Sequence, residues 1–540
     1  MSTSISLSTI QTNHINSLCK VCSNALVLVD TITLEWFRVT NIIGHLFCSR
    51  NRPTIKNIND QKLFENNKHS NLVIILNQSI PISRLNDICT EENFDSITLL
   101  TSSPSIIDDD KNELEENLYE ILQRKSLQFP FISITDSFFL IPTLISYRLP
   151  NIETVTSLTN EKIKMTSLDI ILQRDEIKTI RIHAEMLNSL MLSINAREDI
   201  FVLGPLSHII AREYTQMTNI KQRRRSGENK IALLLIDRHL DLATPSSHQQ
   251  DTLLAQIINI LPNIRIKSPD NYHQRTIDIK IDTRALLKSS SSKFENDFDS
   301  YLFADMKRRV ENEDTKLVYV QYHALIVLAG NDVFYGKEEK ERTHKLIGKE
   351  ILNDSSFTNS LREEMKTLGY SLEIEHALDI IYQKLDLLLS YKRRYKYLNS
   401  LIVHGYDEQP NYRQSLLKQI FDLFKRHGSS GSSSPSLSSR LSSATNVSTT
   451  QQEQLMHDIE HIPFDGFTDF FKSAARGFFG DTKPNLTSND YSTIVIFIVG
   501  GVTSHEIQLV HEYSQQIRKQ IIIGSSGIMK PEDVLSILLK

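Results

Sequence analysis

Along this chain, short runs of apolar and β-branched residues alternate with stretches whose apolar residues recur every three to four positions. ALVLVD (25–30), NLVIIL (71–76) and SITLLT (96–101) are of the first kind and predict buried strands. Helix-like stretches lie between and after them. The clearest, Asp108 to Arg124, opens on three aspartates that suit a helix N-terminus and places Leu114, Leu118 and Leu122 at helical spacing. The βαβα order predicts a parallel sheet covered by helices on both faces.

The same pattern returns at 200–243, where IFVLG, the helix SHIIAREYTQM and the strand KIALLLID (230–237) follow one another. It then stops and resumes near the end. TIVIFIVGG (493–501), a helix from Ser504 to Ile517, QIIIGS (520–525) and a helix opened by Pro531, Glu532 and Asp533 give βαβα again. Strands split by about 250 residues imply an inserted domain, since either half alone would leave a long apolar strand unpaired. The material between is different in kind. Residues 360–427 read as helical, with Ile374, Leu378, Ile381, Leu385 and Leu388 on one apolar stripe. Residues 428–450 are about half serine and offer no core, which predicts a disordered loop. A shorter run, Ser289 to Ser292, predicts another loop. The resulting division is an α/β domain over 1–150, a discontinuous α/β domain over 151–245 and 485–540, and a helical insertion over 246–484. A length of 540 residues, at about 150 residues per domain, fits that number.

Composition narrows the function. Sixty basic against sixty-five acidic residues give a net charge of -5, without the basic excess of proteins that live on the nucleic-acid backbone. No run of about 18 consecutive apolar residues predicts a membrane span. The Ser/Thr-rich start lacks the basic and apolar regions of a secretory signal, and four cysteines make no disulfide framework. A soluble cytoplasmic protein is expected, reaching membranes peripherally through partners, because neither end carries a lipidation motif.

Candidate chemistry is sparse. Gly500 and Gly501 sit between a strand and a helix, as phosphate loops do. The run G-G-V-T-S-H nevertheless lacks the spacing of G-x-G-x-x-G, and no G-x-x-x-x-G-K-[ST] occurs. His505 and His511 are six apart, roughly 240° around a helix, so they do not share a metal as histidines four apart do. Cys19 and Cys22 form C-x-x-C, with His45 and Cys48 further on, but no second C-x-x-C completes a zinc set. GSSG at 428–431 and 524–527 is one residue short of a nucleophile elbow. Asp237 and Asp241, imaginable as paired acids, read more simply as structural carboxylates at a strand end. No catalytic, cofactor or metal site is therefore expected.

Two surface features remain. KQRRR, with Arg223, Arg224 and Arg225, and YKRRYKY, with Lys392, Arg393 and Arg394, are candidate faces for an acidic partner helix or anionic lipid, or simply solvated faces. In FDGFTDFFKSAARGFFG (464–480) the phenylalanines, Phe467 and Phe471 among them, share one helical side, which suits a core-facing helix or one lying on a membrane or partner.

LLLIDRHLDLATPSSHQ (233–249) resembles a signature of the Sec-one/Munc-eighteen (SM) family: a buried strand ending in D-R, then D, T-P and H. The matching positions are Asp237, Arg238, Asp241, Thr244, Pro245 and His248. A second signature, a strand running into G-G-[IV]-T and an acidic residue opening a helix, is similar to IFIVGGVTSHEI (496–507), with Gly500, Gly501 and Thr503. The two flank the insertion. FVLGPLSHIIARE (201–213) and DIEHIPFDGFTDFFKSAARGFF (458–479) resemble a divergent branch of the family.

The resemblance covers most of residues 200–540, and in 1–150 only the order of elements agrees. It implies an arch of two α/β domains and a helical insertion, α/β plus α in class. The signature residues would fix the second domain. It further implies a non-enzymatic protein that binds syntaxin-type SNAREs and promotes membrane fusion. For the divergent branch it implies retrograde Golgi-to-ER traffic with ER-side tethering factors. The chain departs from the family between Pro262 and Leu317, where about 55 residues stand for a longer segment that carries the SNARE-templating hairpin. An enzyme on a doubly wound sheet, nucleotide-dependent or hydrolytic, is the alternative.

Overall fold

The computed structural model of the chain describes residues 5–40, 42–47, 52–76, 80–101, 122–126, 131–141, 172, 174–217, 219–246, 355–367, 369–392, 402–403, 412–413, 415–428, 458–464, 486, 491–517, 519–529 and 531–539. The chain opens with helix α1 (Leu7–Val21) and builds a first sheet of five strands, all parallel. Its members are β1 (Leu26–Val29), β2 (Thr54–Asn57), β3 (Asn71–Leu76), β4 (Ser96–Thr101) and β5 (Leu122–Ser126), in the order β2-β1-β3-β4-β5. Helices α2 (Thr31–Val39) and α3 (Ile42–Phe47) lie between β1 and β2 along the chain, and α4 (Ile82–Thr90) lies between β3 and β4. Every residue of β1 is buried, as its uninterrupted apolar run requires. The turn from β1 into α2 is fixed by Asp30, whose buried carboxylate accepts the Thr33 amide at 2.7 Å.

The helix expected from Asp108 to Arg124 runs too far in sequence. Residues 102–121 lie outside the described residues, and Leu122–Ser126 is β5, in parallel register with β4. A leucine at 122 fits a helical stripe and a strand equally well, and pairing with β4 decides between them.

The second sheet has seven strands in the order β12-β8-β9-β13-β14-β7-β6. They are β6 (Ile132–Thr135), β7 (Phe138–Leu140), β8 (Ala196–Leu203), β9 (Asn229–Asp237), β12 (Glu460–Ile462), β13 (Thr493–Val499) and β14 (Gln520–Ser525). The central five are parallel, while β12 and β6 close the two edges antiparallel. β9 and β13 are direct neighbours, from Ile231↔Thr493 to Asp237↔Val499, so one sheet does span the inserted stretch. Helices α5 (Arg174–Ser193), α6 (Pro205–Gln216) and α7 (Ile220–Ser226) belong to its first half. After β9 come a 3-10 turn (Arg238–Leu240) and the short α8 (Ala243–Ser246).

The strands at 132–140, which the sequence division assigns to the first domain, belong to this second sheet. The reason is packing. Phe139 stacks on Phe497 of β13 with ring centroids 6.3 Å apart, and the whole of β7 is buried.

The inserted stretch contributes α9 (Ser355–Thr367), α10 (Ile374–Lys392), the two-residue strands β10 (Ile402–Val403) and β11 (Tyr412–Arg413), and α11 (Leu416–Gly428). All five positions of the predicted stripe on α10 are buried. The final βαβα unit supplies α12 (Ser504–Ile517) and α13 (Pro531–Leu539). α11 is tied to it: Phe421 stacks on Tyr513 of α12 at 4.9 Å, and the Tyr513 hydroxyl donates to Asp422 at 2.6 Å. β12 and α11, both assigned to the insertion by sequence, are thus joined to the sheet domain. Apart from Gly428, which ends α11, the serine-rich stretch 428–450 lies outside the described residues, as does the run at 289–292.

Gly524 on β14 sits against an aromatic ring with no room for a side chain. A Cβ placed there would lie 2.0 Å from the Phe139 ring, which is itself held by Phe497 and Phe131. Gly524→Ala should therefore cost about 1–3 kcal/mol by overpacking. Phe139→Leu added to it should recover part of that loss, measured by urea unfolding of the single and double variants.

Candidate functional site

The residues singled out in the sequence meet at the C-terminal ends of β8, β9 and β13. This edge of a parallel sheet is where α/β proteins hold ligands, on the amides of helix N-termini. Here the chain's own carboxylates occupy those places. β9 ends at Asp237, fully buried, whose carboxylate accepts the Leu206 amide at 2.8 Å, the Ser207 amide at 2.7 Å and the Ser207 hydroxyl. Gly204, at φ +115°, makes this approach possible, since a Cβ there would stand 2.3 Å from the Asp237 carboxyl carbon. Pro205 at the first helical position completes the opening of α6.

The second helix opening is filled in the same way. After β13, Gly500 and Gly501 take φ of 127° and 99°, turning the chain so that Val502 bridges Ile528. Thr503 and Glu506 then form a reciprocal cap on α12. Glu506 accepts the Thr503 amide at 2.9 Å and its hydroxyl at 3.0 Å, and the Thr503 oxygen accepts the Glu506 amide at 3.2 Å. The paired glycines therefore serve a tight turn.

Arg238 ties the two openings together. One guanidinium nitrogen donates to both oxygens of Glu506 at 2.8 Å, and the other lies 3.9 Å from Asp241. Both side chains of the Arg238–Glu506 pair are 2% exposed. Asp241 accepts the Thr244 amide at 3.0 Å and the Thr244 hydroxyl, and also the Leu416 amide at 3.1 Å, at the first residue of α11. Pro245 is buried in the same turn. The D-R-x-x-D-x-x-T-P run thus binds β9 to α6, to α12 and to the helix that returns from the insertion. His239 sits among these groups fully buried, with neither ring nitrogen hydrogen-bonded. Burial, and then the Arg238 charge, push its pKa down to about 3.

The basic run at 221–225 does not form the outward face expected of it. Arg223 is buried, its guanidinium paired with Glu198 and bonded to the Tyr214 hydroxyl at 2.8 Å, to Asn188 at 3.1 Å and to the Ala196 carbonyl at 2.9 Å. Tyr214 donates to Glu198 at 2.7 Å, so every member of this group has a partner. Arg224 lies 3.5 Å over the Phe464 ring and bonds to Glu198 and Asp199. Only Arg225 of the three is exposed. The physical reason is Glu198, a buried carboxylate on β8 that needs a cation. The alternation of β8 gives it away: Ala196, Glu198 and Ile200 share the buried face, while Arg197 is exposed and Asp199 half-buried.

Lys392 is the last residue of α10. Arg393, Arg394, Phe467, Phe471 and His248 lie outside the described residues. Cys19, Cys22 and Cys89 carry free thiols. Burial, with a smaller contribution from Cys19, pushes Cys22 up to about 12, which makes it an unreactive thiol. His45 is exposed and Cys48 lies outside the described residues. Among the described residues, no three His, Cys, Asp or Glu side chains gather as a metal set, and no helix is long and apolar enough to cross a membrane.

With this geometry in place, residues 336–536 match the model of the Sec1 family. The mouse (Mus musculus) Sec1 family domain-containing protein 2 is 32% identical over 85 residues, which are 16% of this chain and 12% of that relative. The human (Homo sapiens) protein of the same name aligns equally over 85 residues at 32%. The match therefore spans about an eighth of the length of these curated relatives. Among solved structures, Sly1p in complex with an N-terminal peptide of Sed5p superposes with a TM-score of 0.53 at 13% identity, covering 99% of each chain. The SM protein Vps45 gives 0.50 at 15% identity, over 100% of this chain and 97% of that one. Residues 336–536 thus match the Sec1 family model, and the fold is similar to that of SM proteins. Its class is α/β plus α, as the resemblance implied.

The second signature, at 496–507, lies inside the matched Sec1 region, and the first, at 233–249, lies outside it. The fold brings the two together through Arg238 and Glu506. Arg238→Met should lower unfolding free energy by about 3–5 kcal/mol, because it leaves the Glu506 carboxylate buried without its cation. The double change to Met at 238 and 506 should cost less than that single change, read from denaturant curves of all three variants. Acid should weaken the fold as well. Burial holds His183 down to about 4, His239 down to about 3, and His505 below its ordinary value. Unfolding lets them take up protons below pH 6.5, so stability is full above that pH and falls as pH drops toward the folded values. For His183 and His239 the loss should approach ~1.4 kcal/mol per pH unit each between pH 6.5 and the folded values, with His505 adding in the same direction. Urea unfolding at pH 7.5, 6 and 5 checks the slope, and His239→Leu should flatten it.

Proposed function

We propose that this protein is a non-enzymatic regulator of SNARE assembly in vesicle-mediated transport. It binds a syntaxin-type SNARE and attaches peripherally to ER or Golgi membranes through that SNARE or an ER-side tethering complex. The observation that carries the reading is the coincidence of a Sec1-family match with an SM-protein fold. Sly1p, on the same fold, was solved with an N-terminal peptide of Sed5p. Retrograde Golgi-to-ER transport is the step we assign, on the resemblance to Sec1 family domain-containing protein 2.

The closed sheet edge supports a binding role over an enzymatic one. In a nucleotide-dependent enzyme on this kind of sheet, the amides of the first helical turns hold phosphates. Here Asp237 and Glu506 fill those turns and are buried in doing so. Attachment through partners is supported by the inward pull on Arg223 and Arg224, which leaves Lys221 and Arg225 as the exposed cations of that run.

Two measurements test the reading. Purified full chain is passed over immobilised cytosolic domains of syntaxin-type SNAREs, and its melting is followed with ATP, GTP and NAD. Saturable binding to at least one syntaxin, with melting unmoved by the nucleotides, is expected. Failure to bind any of them, together with a nucleotide-induced rise in melting temperature, would transfer the protein to the enzymatic alternative. In liposome flotation, association should require a reconstituted syntaxin. Strong flotation on bare anionic liposomes that survives high salt would contradict partner-dependent attachment.

A further inference from the structure

The chain segment that opens the first α/β unit is fastened to the second sheet, at the start of β14 and at the β6–β7 edge, by a small set of hydrogen bonds. Ile5 is held on both sides of its peptide by one side-chain amide: its N–H donates to the Gln520 oxygen at 2.8 Å, and its carbonyl accepts from the Gln520 nitrogen at 2.6 Å. Just beyond it, Ser6 and Ser8 are held by Asp136, in the turn between β6 and β7, which accepts the Ser8 hydroxyl at 2.6 Å, the Ser8 amide at 3.2 Å and the Ser6 hydroxyl at 3.1 Å. Further along α1, Gln11 accepts the Ser133 amide of edge strand β6 at 2.7 Å. Leu7 is buried between these ties, whereas Ser8 is exposed.

We propose that Ser8 is a phosphorylation site whose modification releases α1 from the β6–β7 edge of the second sheet. The donor is ATP, acting through a serine/threonine protein kinase. A bond forms between Ser8 Oγ and the γ-phosphorus, the bond from that phosphorus to the bridging oxygen of ADP breaks, and the hydroxyl proton leaves to a base and then solvent.

Three features of the site give the modification its effect. First, the hydroxyl hydrogen that now reaches Asp136 is the one replaced, so the shortest of the three ties is lost outright. Second, the phosphate brings close to two negative charges at neutral pH against a carboxylate within hydrogen-bonding distance of the same oxygen. That carboxylate is ionised: burial raises its pKa, but the Ser8 and Ser6 donors outweigh burial and hold it below its ordinary value. Third, Ser8 lies in the first turn of α1, after the Ser6 cap, where negative charge favours the helix. Phosphate at this position therefore loosens the junction while leaving α1 itself intact. A first turn is also the part of a helix that frays most readily, which is what a kinase needs in order to take up the serine in extended form.

The structure supplies its own reporters. The Ile5 and Ser133 amides are bonded across the junction, and the Cys22 amide is bonded within α1, to Leu18 at 2.9 Å. Full chain carrying phosphoserine at position 8, introduced by genetic encoding, should exchange the Ile5 and Ser133 amides about tenfold or more faster than unmodified chain, the scale of one charge-assisted hydrogen bond. Cys22 should exchange as before. Asp136→Arg should restore protection in the phosphorylated chain but not in the unmodified one, since only the former gains an ion pair. Unchanged exchange at Ile5 and Ser133 would overturn the proposal, as would acceleration that Asp136→Arg does not reverse. Faster exchange at Cys22 would do the same, because it would mean that the helix had melted. Phosphopeptide mass spectrometry of protein isolated from the cells that make it should find Ser8 modified, and its absence across growth and secretion-arrest conditions would rule out a modification site.

Discussion

The structure of the second domain depends on a parallel ladder formed between strands far apart in the chain. Arg238 and Glu506, 268 positions apart, stand at the end of that ladder and are joined in a buried pair. Bringing together ends separated by this length costs roughly 5 kcal/mol in closure entropy on the logarithmic scale, and no local contact offsets it. The offset lies in burial. All seven residues of β13 and the last seven of β9 are inaccessible, and the ladder runs without a bulge through every paired position. An apolar ladder closes the loop but leaves sliding by two residues nearly neutral, since both strands are aliphatic throughout. A buried ion pair at the strand end is specific in a way that the ladder is not. Only one register places the guanidinium over the carboxylate, and any other leaves two charges unpaired.

The same logic shapes the edge of the sheet where α/β proteins commonly hold ligands. A parallel sheet delivers helix N-termini to one edge whatever the protein does, and those amides need acceptors. A nucleotide enzyme leaves them to a phosphate. This chain fills them from within, with Asp237 at α6 and Glu506 at α12, and glycine is needed where the backbone must make room for the carboxylate. With the α6 and α12 openings filled by buried side chains, that part of the edge is held together by the chain itself.

Most of the sheet architecture was legible in the sequence because its strands are buried on both faces. NLVIIL, SITLLT and QIIIGS match β3, β4 and β14 residue for residue, and Ser504–Ile517 matches α12. The signature positions were legible through the resemblance, though not the partners they take. Asp241 reaching the first amide of α11, 175 positions away, leaves no local mark. Where sequence and structure differ, a long-range partner decides. A charged run such as 221–225 looks like a solvated face until an opposite charge is known to be buried beside it, and Glu198 is visible only through the alternation of β8. Likewise, β6 and β7 follow the first sheet closely in sequence, but Phe139 fits against Phe497 and Gly524 of the second. Three-residue strands such as β7 and β12 are placed by their neighbours and carry no periodic signal of their own.

The antiparallel rims of the second sheet bear on how far the sheet can be extended. A parallel strand at an open margin offers a free row of amides and carbonyls to any passing chain of like kind. Here β12 ends one margin after three residues, and at the other the Gln11 side chain takes up the Ser133 amide that would otherwise face outward. The opening helix of the chain thus serves as a guard against runaway sheet growth. Losing this helix would remove both the buried side chains of Leu7, Ile15 and Leu18 and the Gln11 contact, so a β6 margin stripped of its cover would invite a strand from another molecule.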